Sequence, residues 1–232
     1  RVAVSFLSNV EKDMTPESII KKLPTIEKAG VDTIQWDLMD GNYNGVNTIR
    51  LFNTTTLETV MNNTSLDSEA HMMVSEPWTF VDNISNFAST FIFHIEACST
   101  KEEVVKTINK IKSFRKKVGI ALEPSTSVDS LDDYLHLIDL VLLMSVKTGY
   151  AGQPFIDVSQ KIKTLVSKRK TKNLSFEIEV DGGINDKTID IVRSAGCDAV
   201  NSASYILKND YAKAVRVLKG EADCALRVSA RR

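Results

Sequence analysis

The sequence lacks the features that mark secreted, membrane-spanning and nucleic-acid-binding proteins. Its 232 residues carry a formal net charge of −1, so no overall field favours nucleic acid or an anionic membrane. No apolar run approaches the roughly 20 residues that a transmembrane helix needs, and no secretory signal is visible. Three scattered cysteines (Cys98, Cys197 and Cys224), without metal-ligand spacing, are typical of reduced thiols. We therefore expect a cytoplasmic protein without nucleic-acid or membrane partners.

No linker, low-complexity segment or break in composition divides the chain, so we expect residues 1–232 to form a single domain. Short β-rich runs alternate with longer helical patterns, which is typical of parallel strands joined by crossover helices. Eight such units in about 220 residues favour an α/β fold, the closed (β/α)8 TIM barrel, over an open sheet. The tail at 220–232 lies beyond the eighth unit, and we assign no function to it.

The pattern predicts the bounds of each unit. The predicted strands cover 2–7, 31–37, 69–74, 90–96, 118–122, 140–146, 176–180 and 199–202. The predicted helices cover 16–29, 57–61, 77–86, 101–114, 130–137, 158–168, 186–195 and 209–219, with Asn209 as the N-cap of the last. Active sites of such barrels lie at the C-terminal ends of the strands, so functional residues are expected there.

Two distant segments each place a carboxylate at the end of an apolar run. Asp37 ends the second predicted strand, within Asp37-Leu38-Met39-Asp40-Gly41, and Asp181 follows the seventh, within Val180-Asp181-Gly182-Gly183-Ile184. In a barrel, both side chains would project into one central pocket from opposite walls. Two opposed carboxylates can move protons on and off the two faces of a single carbon, which is the chemistry of epimerisation.

Glycine-rich segments at 148–153 and 182–184 follow the sixth and seventh strands, and a segment with small hydroxylic residues at 201–204 follows the eighth. Loops after the late strands of a barrel bind phosphate through backbone N–H groups, and glycine lets the backbone approach the anion closely. The sequence therefore predicts a phosphate-binding barrel.

These motifs together resemble the ribulose-phosphate 3-epimerase family of ketopentose- and ketohexose-phosphate 3-epimerases. The matching segments occur in the family order up to about Leu207 and include Ser5-Phe6-Leu7-Ser8, Asp37-Leu38-Met39-Asp40-Gly41, His71-Met72-Met73-Val74, His94-Ile95-Glu96-Ala97, Gly119-Ile120-Ala121-Leu122-Glu123-Pro124, Met144-Ser145-Val146 and Val180 to Ile184. The resemblance implies a TIM barrel of the ribulose-phosphate-binding type. It also implies an isomerase of carbohydrate metabolism, in the pentose phosphate pathway, that assembles as a homo-oligomer.

The resemblance also implies roles for individual residues. Asp37 and Asp181 would be both the catalytic acid/base groups and ligands of a divalent metal (Zn, Fe, Mn or Co), with His71 as a further ligand. One Asp would remove the C3 proton of D-ribulose 5-phosphate, the metal would stabilise the enediolate, and the other Asp would protonate the opposite face to give D-xylulose 5-phosphate. The implied substrate-binding residues are Ser5, Gly149, an apolar collar of Met39, Met73 and Met144, and a phosphate set of Gly152, Gly182, Gly183, Ala203 and Ser204.

Four features depart from the family pattern. Gln35 stands where the family has a metal-binding histidine, so it is a doubtful ligand, and weaker metal binding or a harder metal is expected. The segment Asn42-Tyr43-Asn44-Gly45-Val46 differs from the usual loop that closes over substrate, Thr148 replaces a proline and Ala203 replaces a glycine. Two alternatives therefore stay open: epimerisation of another ketose phosphate, such as a hexulose 6-phosphate, or a degenerate, metal-poor barrel that binds sugar phosphate without turnover.

Three further residues are predicted to have supporting roles. His94 is expected to be a hydrogen-bonded support rather than a ligand, and His136, inside a helical pattern, is expected to be structural. Trp36 alternates with Gln35 and Asp37, so its side chain should point away from the pocket and pack in the helix layer.

Overall fold

The computed structural model describes residues 1–7, 15–149 and 152–221. Parallel strands pair in chain order from β1 to β8, and β8 pairs with β1 to close a barrel. The strands are β1 (Val2–Ser5), β2 (Thr33–Met39), β3 (Asp67–Met73), β4 (Thr90–His94), β5 (Lys117–Leu122), β6 (Leu140–Met144), β7 (Glu177–Asp181) and β8 (Ala199–Asn201). The predicted (β/α)8 TIM barrel is confirmed.

Helices connect the strands on the outside of the barrel. They are α1 (Pro16–Lys28), α2 (Thr54–Met61), α3 (Pro77–Ile84), α4 (Lys101–Ser113), α5 (Ser159–Thr171), α6 (Ile189–Ala195), α7 (Ser204–Leu207) and α8 (Tyr211–Lys219). Local sequence sets several of their ends. Thr15 and Thr100 begin α1 and α4 with capping boxes, and Gly220 ends α8 in the left-handed conformation that glycine adopts at low cost.

The prediction of a helix at 130–137 is wrong. The chain there forms a short 3-10 helix at Val128–Leu131, followed by turns in which the N–H of Tyr134 donates to the carbonyl of Leu131. Leu131 and Leu135 are buried, so the apolar spacing has a helical period, although most backbone bonds of this segment are i→i+3 and the single i→i+4 bond, from Leu135 to Leu131, is not continued. The N-cap of α8 is Asp210, whose carboxylate accepts from the N–H of Lys213, rather than the predicted Asn209.

Alternation along each strand sorts its side chains between two cores. Ile34, Trp36 and Leu38 of β2 face the helices and belong to the large apolar core between the sheet and the helix layer. The Trp36 ring is 1% exposed and lies 6.2 Å from the Phe6 ring and 5.4 Å from the Phe52 ring, between centroids. Its predicted packing is confirmed, and the alternate residues of β2 point into the barrel.

The barrel interior is apolar on one side and polar on the other. A small apolar cluster fills the β4–β6 side, formed by Ile92, Ala121, Leu140, Leu142, Met144 and Val146. The polar side holds buried residues from the other strands: Ser5, Gln35, Asp37, Glu69, His71, Glu179 and Asn201. Since buried polar groups need partners, this side requires a connected network of hydrogen bonds.

Parts of several predictions lie outside the described residues, among them Tyr150 and Ala151 of the glycine-rich segment after the sixth strand. Residues 222–232, which make up most of the tail at 220–232, also lie outside the described residues, and so does Cys224. Across the described ranges, no helix combines the length and the apolar character that crossing a bilayer requires.

Candidate active site

A cavity of about 380 Å³ opens at the C-terminal ends of the strands. This volume is within the range of small-molecule sites. The residues predicted to bind substrate all line it: Ser5, Met39, Met73, Met144, Gly149, Gly152, Gly182, Gly183, Ala203 and Ser204. Asp37, His71 and Asp181 line it as well, whereas Gln35 lies behind them, fully buried. The barrel thus brings segments from both ends of the sequence to one cavity.

The two carboxylates predicted to act together are adjacent in space. Gln35 Nε2 donates to Asp181 Oδ2 at 2.8 Å and to Asp37 Oδ1 at 3.0 Å, so a single amide group bridges the pair. Asp181 is also close enough to Asn201 for a side-chain hydrogen bond. Because the carboxylates repel each other, donors placed between them favour their ionised forms.

Burial, followed by the charge of Asp37, raises the pKa of Asp181 to about 7, against the opposing effects of His71 and of the hydrogen bond from Gln35. A carboxyl group with a pKa near the working pH can accept a proton in one step and donate one in another. Asp181 is therefore suited to acid/base chemistry near neutrality.

His71 completes a compact set of donor atoms. Its Nδ1 lies 3.2 Å from Asp37 Oδ1 and 3.7 Å from Asp181 Oδ2. Burial lowers the pKa of His71, but the hydrogen bond and charge of Asp37, together with the charge of Asp181, outweigh it and raise the pKa. The other ring nitrogen faces His94, which supports the ring from behind, in line with the predicted supporting position.

The donor set fits a divalent metal. One ligand atom each from Asp37, His71 and Asp181 lies within 4.8 Å of the others, and no second such group of His, Cys, Asp or Glu occurs in the described part of the chain. Two carboxylate oxygens and one imidazole nitrogen suit borderline metals such as Zn, Fe, Mn and Co.

Gln35 presents its amide nitrogen to this set, whereas ligation would require its oxygen. The Oε1 atom of Gln35 is buried and has no hydrogen-bond partner among the described residues. A buried acceptor without a donor costs free energy, so the two N–H bonds to the carboxylates must offset this cost.

The end of the cavity that the sequence predicts to bind phosphate depends on glycine. Gly182 and Gly183 have positive φ values of 113° and 63°, in the region that other residues rarely adopt. A Cβ atom on Gly182 would lie 2.5 Å from the Val146 side chain. The Ser202 hydroxyl donates to the carbonyl of Ile184 and joins this loop to the end of β8. The backbone conformation and the close approach of Val146 therefore both require glycine at position 182.

The segment at 42–46, one of the four departures from the family pattern, packs against residues that line the cavity. Asn44 lies over Gly149, where an added Cβ would meet its side-chain nitrogen at 3.0 Å, and the same nitrogen contacts the Met39 sulfur at 3.3 Å. The Tyr43 ring lies 5.2 Å from the His94 ring, between centroids. The segment at 42–46 therefore packs on the collar and on a glycine-rich loop at once.

One charged residue of the cavity was not predicted from the sequence. Lys208 is the only lysine or arginine among the described residues that line it. Its backbone N–H donates to the carbonyl of Ser204, so the short helix α7 carries it to the rim. The available signal was its spacing of four residues from Ser204, but only on a helix that the prediction did not include.

Comparisons with known proteins agree with this arrangement. Residues 1–207 match the family described as the ribulose-phosphate 3 epimerase family. The ribulose-phosphate 3-epimerase of Chlamydia muridarum is 35% identical over 203 residues, which cover 84% of this chain and 86% of that protein. The enzyme of the same name from Bacillus subtilis is 31% identical over 205 residues, covering 86% and 91%. The chain belongs to the ribulose-phosphate 3-epimerase family, and it is an isomerase that epimerises sugar phosphates.

Solved structures share the fold at lower identity. KGPDC from Streptococcus mutans superimposes with a TM-score of 0.70 at 14% identity, covering 95% of each chain. A 3-hexulose-6-phosphate synthase gives a TM-score of 0.65 at 13% identity, covering 96% of this chain and all of the other. At such identity the likeness establishes the barrel and nothing about the chemistry.

Proposed function

We propose that this chain inverts C3 of D-ribulose 5-phosphate to give D-xylulose 5-phosphate, a step of the pentose phosphate pathway. The observation that carries the proposal is the carboxylate pair: Asp37 and Asp181 share the amide of Gln35 at the wall of a small-molecule cavity. The predicted cytoplasmic location and homo-oligomeric assembly stay predictions.

In this scheme the two carboxylates work on opposite faces of one carbon. One Asp removes the C3 proton beside the C2 ketone, and the other donates a proton to the opposite face of the enediolate. The pKa of about 7 of Asp181 allows it to start as base or as acid, depending on which epimer is bound. Met39, Met73 and Met144 exclude water from the reacting carbons, which strengthens every charge interaction there.

Asp37, His71 and Asp181 are the residues that would hold a divalent metal. A bound metal supplies Lewis-acid stabilisation of negative charge on oxygen. Gly152, Gly182, Gly183, Ala203 and Ser204 would position the phosphate at the other end of the cavity, and Lys208 would add the positive charge that a phosphate dianion favours.

A second candidate is epimerisation of a longer ketose phosphate, such as a hexulose 6-phosphate. The segment at 42–46 motivates it, because Asn44 contacts Met39 of the collar and Gly149, beside the path that the substrate chain would take. A binding-only barrel is less well supported, since both carboxylates and His71 are retained around the cavity.

Solvent-deuterium exchange at C3 tests the proposal directly. Metal-stripped protein is reconstituted with Mg²⁺, Mn²⁺, Fe²⁺, Co²⁺ or Zn²⁺ and incubated with a panel of ketose phosphates in deuterated water. Exchange and epimerisation of D-ribulose 5-phosphate are expected. Exchange with only a six-carbon substrate would support the second candidate, and binding without exchange at any metal would refute both epimerase proposals.

A further inference from the structure

A hydrogen-bonded chain runs from the carboxylate pair into the wall of the barrel. His71 and His94 are fully buried, and their rings stack with centroids 5.1 Å apart. His71 Nε2 lies 2.9 Å from His94 Nε2, and His94 Nδ1 lies 3.4 Å from Glu96 Oε2. Neither His94 nor Glu96 is among the described residues that line the cavity, so this chain supports the site from behind.

The direction of the hydrogen bond between the two imidazole rings follows from the neighbouring carboxylate of Glu96. One nitrogen must carry the hydrogen and the other must offer its lone pair. A carboxylate only accepts, so Glu96 requires the hydrogen of His94 to be on Nδ1. His94 Nε2 is then the acceptor, and His71 Nε2 must be the donor.

The consequence reaches the reactive end of the chain. With its hydrogen on Nε2, the neutral form of His71 has its lone pair on Nδ1, the nitrogen that lies 3.2 Å from Asp37 and 3.7 Å from Asp181. A metal-binding histidine needs this arrangement, in which the second ring nitrogen donates to an outer partner.

We propose that Glu96 is a positioning residue that acts through His94 to decide which nitrogen of neutral His71 carries the hydrogen, and so whether Nδ1 can offer a lone pair beside the carboxylate pair. The effect of Glu96 on metal binding rests on the proposed function. The direction of the hydrogen bonds from His71 through His94 to Glu96 is argued from the geometry alone.

The isosteric substitution Glu96→Gln should reverse the chain. Oε1 of Glu96 accepts from the backbone N–H of Glu123 at 2.8 Å and from the Thr126 hydroxyl. A glutamine must keep its carbonyl oxygen at these donors, so its NH2 group would face His94. His94 Nδ1 would become the acceptor, its hydrogen would move to Nε2, and His71 would be left with its hydrogen on Nδ1, where it blocks ligation.

Glu123→Gln is the matched control. Glu123 Oε1 lies 3.9 Å from His94 Nδ1, beyond hydrogen-bonding distance, and this substitution removes the same charge beside the same ring. Calorimetric titration of the metal-stripped proteins with Co²⁺ should show affinity weakened about 10- to 100-fold in Glu96→Gln and changed by no more than about threefold in Glu123→Gln. Equal affinities in the two variants would overturn the proposal.

Heteronuclear NMR of the imidazole nitrogens gives a readout that a general loss of packing would not produce. The unsubstituted protein should carry the His94 hydrogen on Nδ1, and Glu96→Gln should carry it on Nε2. A His94 hydrogen on Nε2 in the unsubstituted protein would overturn the assignment, even if Glu96→Gln failed to fold. If the unsubstituted protein binds no Co²⁺, the metal in the proposed function fails, while the spectra still decide the role of Glu96.

Discussion

Two pairs of acidic side chains lie inside this barrel, one toward each end, and they are held in different ways. The upper pair, Asp37 and Asp181, shares the neutral amide of Gln35. The lower pair, Glu69 and Glu179, is bridged by the guanidinium of Arg1, whose Nη1 and Nη2 lie 2.9 and 2.7 Å from their carboxylates. The lower pair has a permanent cation between its members, whereas the upper pair has an amide dipole between them and the titratable ring of His71 beside them.

This difference separates a structural pair from a reactive one. The lower pair is at most 1% exposed and lies away from the cavity lining, so Arg1 and a retained proton can balance its charge permanently. The upper pair faces the cavity, and its net charge stays available for a proton, a metal or a substrate. In barrels generally, the N-terminal end serves stability and the C-terminal end serves chemistry.

The largest expected effect comes from neutralising the upper pair. Asp37→Asn and Asp181→Asn should each lower the epimerisation rate by about 10³-fold or more, because a general acid or base contributes about 10²- to 10⁴-fold. Circular dichroism should show an intact fold. The comparison is sharpened by Glu179→Gln, which makes the same chemical change in the lower pair and should leave the rate within about threefold. Retained turnover in either Asn variant would refute the two-base scheme.

The next effect concerns the cation of the lower pair. Arg1→Met would leave two buried carboxylates without a counter-charge and should destabilise the protein by about 3 kcal/mol, with turnover at the other end little changed. Urea unfolding measures the loss, and Arg1→Lys, which keeps the charge, should recover part of it. A loss below about 1 kcal/mol would mean that Arg1 does not hold the lower pair.

The upper pair could be predicted from the sequence, because barrel strands place their C-terminal residues at one edge, whereas the lower pair with Arg1 was not predicted. Asp37 and Asp181 each end an apolar run, and strand order brings them together. The orientation of the Gln35 amide could not be predicted, because its partner Asp181 is 146 residues away. The sequence does not indicate whether Nε2 or Oε1 of the amide faces that partner. The helix predicted at 130–137 was wrong because the spacing of apolar side chains does not determine which backbone hydrogen bonds form.

The Glu96–His94–His71 chain was only partly foreseen. The sequence indicated a supporting role for His94, but not the contact of its Nε2 with His71 Nε2, which depends on the packing of β3 against β4. Lys208 was missed because the four-residue helix α7 that carries it is too short to show a period. Such details are fixed by tertiary contacts between segments that are distant in sequence.

A smaller effect is expected where the bridge of the upper pair is replaced. Gln35→His should tighten zinc binding by about tenfold or more, because imidazole is a better zinc ligand than an amide and because the competing N–H bonds to both carboxylates are removed. Calorimetry of metal-stripped protein measures the change, and Gln35→Met, which removes the N–H bonds without adding a ligand, isolates the second contribution. An unchanged zinc titration in Gln35→His would place position 35 outside the coordination shell.

The smallest effect is a pH dependence of stability that belongs to the lower pair. Burial, followed by the charge of Glu69, raises the pKa of Glu179 well above its ordinary value. The two carboxyls are close enough for a hydrogen bond, which requires that one of them keeps a proton. The folded state therefore holds a proton that the unfolded chain releases near its ordinary pKa, so stability falls as pH rises from that value toward the raised one.

Glu179→Gln replaces the proton-bearing carboxyl with an amide that can donate to Glu69 and accept from Arg1. Its free energy of unfolding should match that of the unsubstituted protein at about pH 5 and exceed it at about pH 8, by a margin that grows as the pH rises. The raised pKa of Asp181 acts in the same direction in both proteins and cancels from the difference. Parallel pH profiles of the free energy of unfolding would show that the lower pair holds no such proton. Arg1 and a retained proton would then not neutralise the lower pair, and the proposed difference from the reactive upper pair would be wrong.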